Sequence, residues 1–119
     1  MEPAPQKIRI LIIDDQLVVR EGLRLLIENR PGLKIAAMVG SRAEAMEIVA
    51  RETFDLVILD LELGGTSALP LIPQLRDAAD KARILALTSV RSSQTHQAAV
   101  QLGAMGVVLK DDAAELLRR

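Results

Sequence analysis

The chain has 119 residues, 50% hydrophobic and 26% charged, which fits one domain able to bury its own core and excludes a disordered polymer. Fifteen Lys and Arg against sixteen Asp and Glu leave a net charge of −1, so there is no cationic field to follow a phosphate backbone. Phe54 is the single aromatic residue, His96 the single histidine, and cysteine is absent, which excludes base stacking, disulfides, thiol redox chemistry and a Cys/His zinc site.

The start, Met1-Glu2-Pro3-Ala4-Pro5-Gln6-Lys7, lacks the apolar stretch of a secretory signal. The longest apolar run, Leu102 to Leu109, is too short to cross a bilayer. A cytoplasmic protein without a membrane partner is expected.

Ile8-Arg9-Ile10-Leu11-Ile12-Ile13 carries apolar side chains in both pleat directions, as a central strand covered on both faces requires. Val19, Leu23 and Leu26, broadened by Val18, Gly22 and Leu25, predict a first helix over about Gln16 to Glu28, stopping before Pro31-Gly32. Leu33 to Val39 alternates only in part, which suits an edge strand. Ser41-Arg42-Ala43-Glu44 reads as a capping box opening a second helix that runs to about Glu52 and buries Ala45, Met46 and Val49.

Leu56-Val57-Ile58-Leu59 is a third strand ending at Asp60, and Gly64-Gly65-Thr66 breaks the chain just after it. Ala68, Ile72, Leu75 and Ala79 share one face of a third helix whose start is blurred by Pro70 and Pro73. Ile84-Leu85-Ala86-Leu87 is a fourth strand ending at Thr88. A fourth helix near Ser92 to Leu102 buries Ala98, Ala99 and Leu102. Gly106-Val107-Val108-Leu109 is a fifth strand ending at Lys110, and Asp111 to Arg119 begins a fifth helix capped by Asp111 or Asp112.

This βα alternation predicts an α/β fold of three layers, αβα: a doubly wound, five-stranded parallel sheet in the flavodoxin-like order 2-1-3-4-5. In such a sheet the ligand crevice lies beyond the carboxyl ends of the strands. Asp14, Asp15, Asp60, Thr88 and Lys110 terminate the strands there. Three crowded carboxylates repel one another, and a hard divalent cation, Mg2+ above all, resolves the conflict. An aspartate at a buried strand end is also a nucleophile toward phosphorus, with the metal, Lys110 and Thr88 sharing the charge of the phosphoryl oxygens.

Together these positions resemble the receiver (phosphoacceptor) domain of two-component response regulators, with its CheY-like fold, over nearly the whole chain. Ile12-Ile13-Asp14-Asp15-Gln16 with Val19-Arg20-Glu21-Gly22-Leu23, and Leu102-Gly103-Ala104-Met105-Gly106 before Val107-Val108-Leu109-Lys110, are similar to the NarL/FixJ subfamily. The resemblance implies that Asp60 takes a phosphoryl group from a sensor histidine kinase. It implies that Asp15 and Asp60 ligate Mg2+, with Asp14 acting through a metal-bound water and the Glu62 carbonyl as a backbone ligand. Thr88 and Lys110 would bind the phosphoryl oxygens. The chain would then be a phosphoacceptor with self-catalysed transfer and slow autodephosphorylation, not an enzyme on free substrates. A homodimer is compatible with the family.

The chain departs from the family pattern at Gly64, where a proline is usual, so a more mobile loop is expected, and at Val107, where many receivers carry a switch aromatic. The resemblance places Glu62 and Val90 at positions that, in the family, flank the phosphoryl group and tune its lifetime. The resemblance further implies that residues 1–119 are a receiver fragment lacking a C-terminal helix-turn-helix output domain, through which alone DNA would be contacted and transcription controlled.

Plainer readings exist: Asp14-Asp15 as helix caps, Asp60 as a loop residue before a Gly-Gly turn, Thr88 as a strand-end hydroxyl bonding backbone, Lys110 as a solvated tail, His96 on a solvated helix face. A phosphatase-like hydrolase would need an acid at Gln16 or Leu17, which is missing, and an acidic first loop repels nucleotides. A receiver-like interaction module that works without phosphorylation is the remaining alternative.

Overall fold

The computed structural model describes residues 7–112. In chain order the elements are β1 (Ile8–Ile13), α1 (Leu17–Glu28), β2 (Leu33–Val39), α2 (Arg42–Arg51), β3 (Leu56–Asp60), β4 (Glu62–Leu63), β5 (Thr66–Ser67), α3 (Leu71–Ala78), β6 (Arg83–Thr88), α4 (Ser93–Leu102) and β7 (Gly106–Leu109). Five strands form one parallel sheet in the order β2-β1-β3-β6-β7. Counting only these five, the order is 2-1-3-4-5, as expected, with the weakly alternating β2 at an edge.

Alternation along the strands divides the core between two faces. Leu11, Ile13, Val57, Leu59, Ile84 and Ala86 pack with Ala45, Ile48 and Val49 of α2, Leu71, Ile72 and Leu75 of α3, and Ala99 of α4. Ile10, Ile12, Ile58 and Leu87 pack on the opposite face with Leu23 and Ile27 of α1. Helices therefore cover both faces, and every strand side chain in the middle of β1 and β3 is buried.

The helix faces differ in detail from those expected. In α1 the buried pair is Leu23 and Ile27, while Val18 is 84% and Leu25 57% exposed. At 100° per residue these two lie well round the helix from the Val19-Leu23-Ile27 line, so they do not reach the sheet. Ile48 joins Ala45 and Val49 in the core, with Met46 only half-buried. In α4 only Ala99 is fully buried; Ala98 is half-buried and Leu102 exposed, the helix ending at Gly103 with φ 122°.

Local signals account for the helix ends. Ser41 caps α2 by accepting the Glu44 amide at 3.2 Å, and its hydroxyl donates to Glu44 Oε1 at 3.0 Å. Pro70 is the N-cap of α3 and Pro73 lies in its first turn, where the missing N–H would have had no helical acceptor. Residues 110–112 are already helical, so Asp111 and Asp112 have helical backbone instead of capping a helix that starts after them; residues 113–119 of the expected fifth helix lie outside the described residues.

The largest difference follows β3. There Glu62–Leu63 and Thr66–Ser67 pair as an antiparallel hairpin, which the sequence reading did not include. Gly64 (φ 64°) and Gly65 (φ 77°) form its two-residue turn, and two successive positive φ values are what a type I′ turn demands. The Arg42 guanidinium fastens the hairpin to α2, donating to the carbonyls of Leu63 and Ser67 at 3.1 Å each and to the Thr66 hydroxyl.

Candidate functional site

The parallel sheet delivers the expected residues to one end. Asp14 and Asp15 follow β1, Asp60 closes β3, Thr88 closes β6 and Lys110 follows β7. Asp14, Asp60 and Thr88 are wholly buried, while Asp15 is exposed. One carboxylate oxygen from each of Asp14, Asp15 and Asp60 lies within 4.8 Å of the others. Lys110 Nζ stands 3.1 Å from Asp60 Oδ2 and 3.8 Å from Asp14 Oδ2, and donates to Gln16 Oε1 at 2.8 Å.

Backbone amides take one oxygen of each buried acid. Asp14 Oδ1 accepts from Gln16 at 2.7 Å and Asp60 Oδ1 accepts from Glu62 at 3.0 Å. Neither Asp14 nor Asp15 is the N-cap of α1; that residue is Gln16, which makes no side-chain cap. Asp14 Oδ2 and Asp60 Oδ2 remain buried, with only the Lys110 ammonium near them. Burial pushes the Asp14 carboxyl above its ordinary 3.8, against the pull of the Gln16 amide and Lys110. Burial, aided by Asp14 and opposed by the Glu62 amide and Lys110, pushes Asp60 up to about 6.

Such a site is short of positive charge. One ammonium cannot compensate three carboxylates, and two buried carboxylate oxygens that share only that ammonium are the kind of ligand atoms a hard divalent cation takes. The residues therefore fit a magnesium-type ion.

On the other side of Asp60, Glu62 Oε1 accepts from the Thr88 hydroxyl at 2.7 Å and from the Ser89 amide and hydroxyl at 3.3 Å each. Burial raises the Glu62 carboxyl, but the Thr88 hydrogen bond, the Asp60 carboxyl and Ser89 together hold it below its ordinary 4.5. Thr88 Oγ1 also accepts the Val90 amide at 3.1 Å. Val107 is half-buried beside Ala86 of β6. His96 Nε2 lies 3.2 Å from the Val90 carbonyl, apart from the acidic cluster.

Three participants escape a reading by residue type. Gln16 is a neutral partner for Lys110, and Ser89 contributes a main-chain amide. Gly64 donates its amide to Asp15 Oδ2 at 3.0 Å, a bond that the proline usual at this position could not make. The spacing signal was available for Gly64, since Gly-Gly between two short strand-like pairs marks a hairpin.

The sequence and fold match known proteins over nearly the full extent of this chain. The family model for the response regulator receiver domain matches residues 10–119. The nitrate/nitrite response regulator protein NarP of Escherichia coli is 34% identical over 115 residues, covering 97% of this chain and 54% of that protein. A two-component response regulator of the LuxR family from Aurantimonas sp. SI85-9A1 superposes with TM-score 0.83 at 37% identity, over 95% of this chain and 81% of that one. A response regulator from Burkholderia pseudomallei, solved with a phosphorylated aspartic acid, a calcium ion and citrate, matches with TM-score 0.78 at 30% identity, over 94% of this chain and 72% of that one.

A doubly wound sheet with an acidic cluster, a hydroxyl and a lysine at its carboxyl edge defines a phosphoacceptor-type α/β module. With the family model spanning residues 10–119, the chain belongs to the response regulator receiver domain family of two-component systems. It spans about half the length of the curated relatives it matches.

Proposed function

We propose that Asp60 is the phosphoacceptor. The carrying observation is a fully buried carboxylate whose Oδ2 has no neighbouring donor but the Lys110 ammonium, which it faces at 3.1 Å. That oxygen attacks phosphorus of a phosphohistidine on a sensor histidine kinase; the P–O bond forms as the P–N bond breaks, and the imidazole leaves and takes up a proton. Lys110 offsets charge on the phosphoryl oxygens, and the Thr88 hydroxyl and Ser89 amide are donors on the opposite side.

Asp14, Asp15, Asp60 and the Glu62 main-chain carbonyl are the residues that would hold Mg2+. Bound there, the ion supplies the positive charge that three carboxylates and an incoming phosphoryl group need. Asp15 is held toward the cluster by the Gly64 amide. The phosphorylated aspartic acid and calcium ion in the Burkholderia relative support the same assignment.

The output we infer is transcriptional, delivered through a DNA-binding part such as those of the regulators this chain resembles. Residues 1–119 would then be the receiver part of a longer cytoplasmic regulator. No helix among the described residues is long and apolar enough to cross a membrane.

Incubation with acetyl phosphate and Mg2+ tests the reading. Intact mass is expected to rise by one phosphoryl group, and to stay unchanged in Asp60→Asn and in EDTA. A gain that survives Asp60→Asn refutes the assignment. Retention of partner binding with no response to beryllofluoride would favour the phosphorylation-independent module.

A further inference from the structure

The Glu62 carboxylate is placed where an incoming anion would seek its donors. A single atom, Oε1, collects the Thr88 hydroxyl at 2.7 Å, the Ser89 amide at 3.3 Å and the Ser89 hydroxyl at 3.3 Å. Convergence of three donors on one oxygen is the arrangement of an oxyanion site. Thr88 is wholly buried, so its hydroxyl must have an acceptor in the resting protein.

The donors cannot serve two acceptors at once. A threonine hydroxyl carries one proton, and so does a backbone amide. While both point at Glu62 they are withheld from a phosphoryl group on Asp60, only two residues earlier in the chain. A second anion brought beside Glu62 would also be repelled by it.

Glu62 is held there by its backbone and not by a matched pocket. Its amide is fixed on Asp60 Oδ1 at 3.0 Å, and its main chain is paired in the hairpin with Ser67. The second carboxylate oxygen, Oε2, is buried and makes no well-formed hydrogen bond. Beside it opens a cleft of about 300 Å³ lined by Leu61, Glu62, Thr66, Thr88, Val90 and Thr95, among others. A displaced Glu62 side chain can move into that cleft without unfolding the hairpin.

Building on Asp60 as the phosphoacceptor, we propose that Glu62 is a tethered occupant of the Thr88–Ser89 oxyanion donors that the phosphoryl group must displace. Glu62 thereby weakens acceptance of the phosphoryl group while keeping the Thr88 and Ser89 donors satisfied in the resting protein. The same displacement would move the hairpin side of the site relative to the β6–α4 loop.

The test is a titration of the ¹⁵N-labelled chain with beryllofluoride in saturating Mg2+, following the Ser89 amide in wild type, Glu62→Ala, Glu62→Gln and Asp60→Asn. Before beryllofluoride, the Ser89 amide proton of Glu62→Ala is expected upfield of wild type, because its acceptor is gone. At saturation the two proteins should converge on one Ser89 position. Losing a competitor held by charge-assisted hydrogen bonds should tighten beryllofluoride binding about tenfold in Glu62→Ala. Glu62→Gln, which keeps the shape and an acceptor but no charge, should fall between and guards against misfolding of the smaller variant.

Equal affinities in wild type and both Glu62 variants, or tighter binding by wild type, would overturn the proposal and leave Asp60 as acceptor. Binding that is no stronger in wild type than in Asp60→Asn would overturn the Asp60 reading, and this proposal with it.

Discussion

Asp60 carries a cost in the resting protein that substitution should expose. Burial raises its pKa from 3.8 to about 6, so between those values the native protein keeps a proton that the unfolded chain has released. Stability must therefore fall as pH rises through that window and stay low above it. The full shift corresponds to about 3 kcal/mol at pH 8, and about half of that is already present at pH 5. Asn keeps the acceptor for the Glu62 amide but never ionises. In EDTA, Asp60→Asn is expected to be more stable than wild type by about 2–3 kcal/mol at pH 8, with the gap roughly halved at pH 5. Urea denaturation of both proteins at the two pH values measures it. A gap that does not change with pH, or a variant less stable than wild type at pH 8, would refute the burial argument.

Mg2+ should raise the urea midpoint of wild type at pH 8, and Asp15→Asn and Asp60→Asn should each weaken that response; an unchanged response in both variants would place the cation elsewhere. Arg42→Ala removes three hydrogen bonds to the hairpin and should cost about 1–2 kcal/mol while speeding hydrogen exchange in β4 and β5. Gly64→Pro forces φ near −65° where the turn needs φ 64° and removes the donor to Asp15, so it should destabilise by more than about 1 kcal/mol in thermal melts. Leu75→Ala empties a wholly buried position between α3 and the sheet and should cost about 2–5 kcal/mol by urea denaturation.

The fold was legible because its signals are local and mutually consistent. Four of the five aliphatic runs are too short for helices and end in polar residues, while the Ser41 capping box and the periodicity of α1 mark the segments between. The site was legible for the same reason, since a parallel sheet sends the residues after β1, β3, β6 and β7 to one edge. What escaped depends on direction and on backbone. Val18 and Leu25 are as apolar as Leu23, and only the angular offset separates them. The hairpin was hidden by reading Gly64-Gly65 as an interruption, although the pair supports a type I′ turn. The contacts of Glu62 with Thr88 and Ser89 could not be foreseen, because they depend on how the hairpin aims one side chain across the loop after β6.

The central claim is that the phosphoryl group resides on Asp60 and on no other member of the acidic cluster. Borohydride reduction of the acetyl phosphate-treated protein converts an aspartyl phosphate to homoserine, and peptide mass mapping then locates it. The account predicts homoserine at position 60 in the presence of Mg2+ and none in its absence. Homoserine at position 14 or 15, or its absence from the Mg2+ sample despite a measured gain of one phosphoryl group, would contradict it.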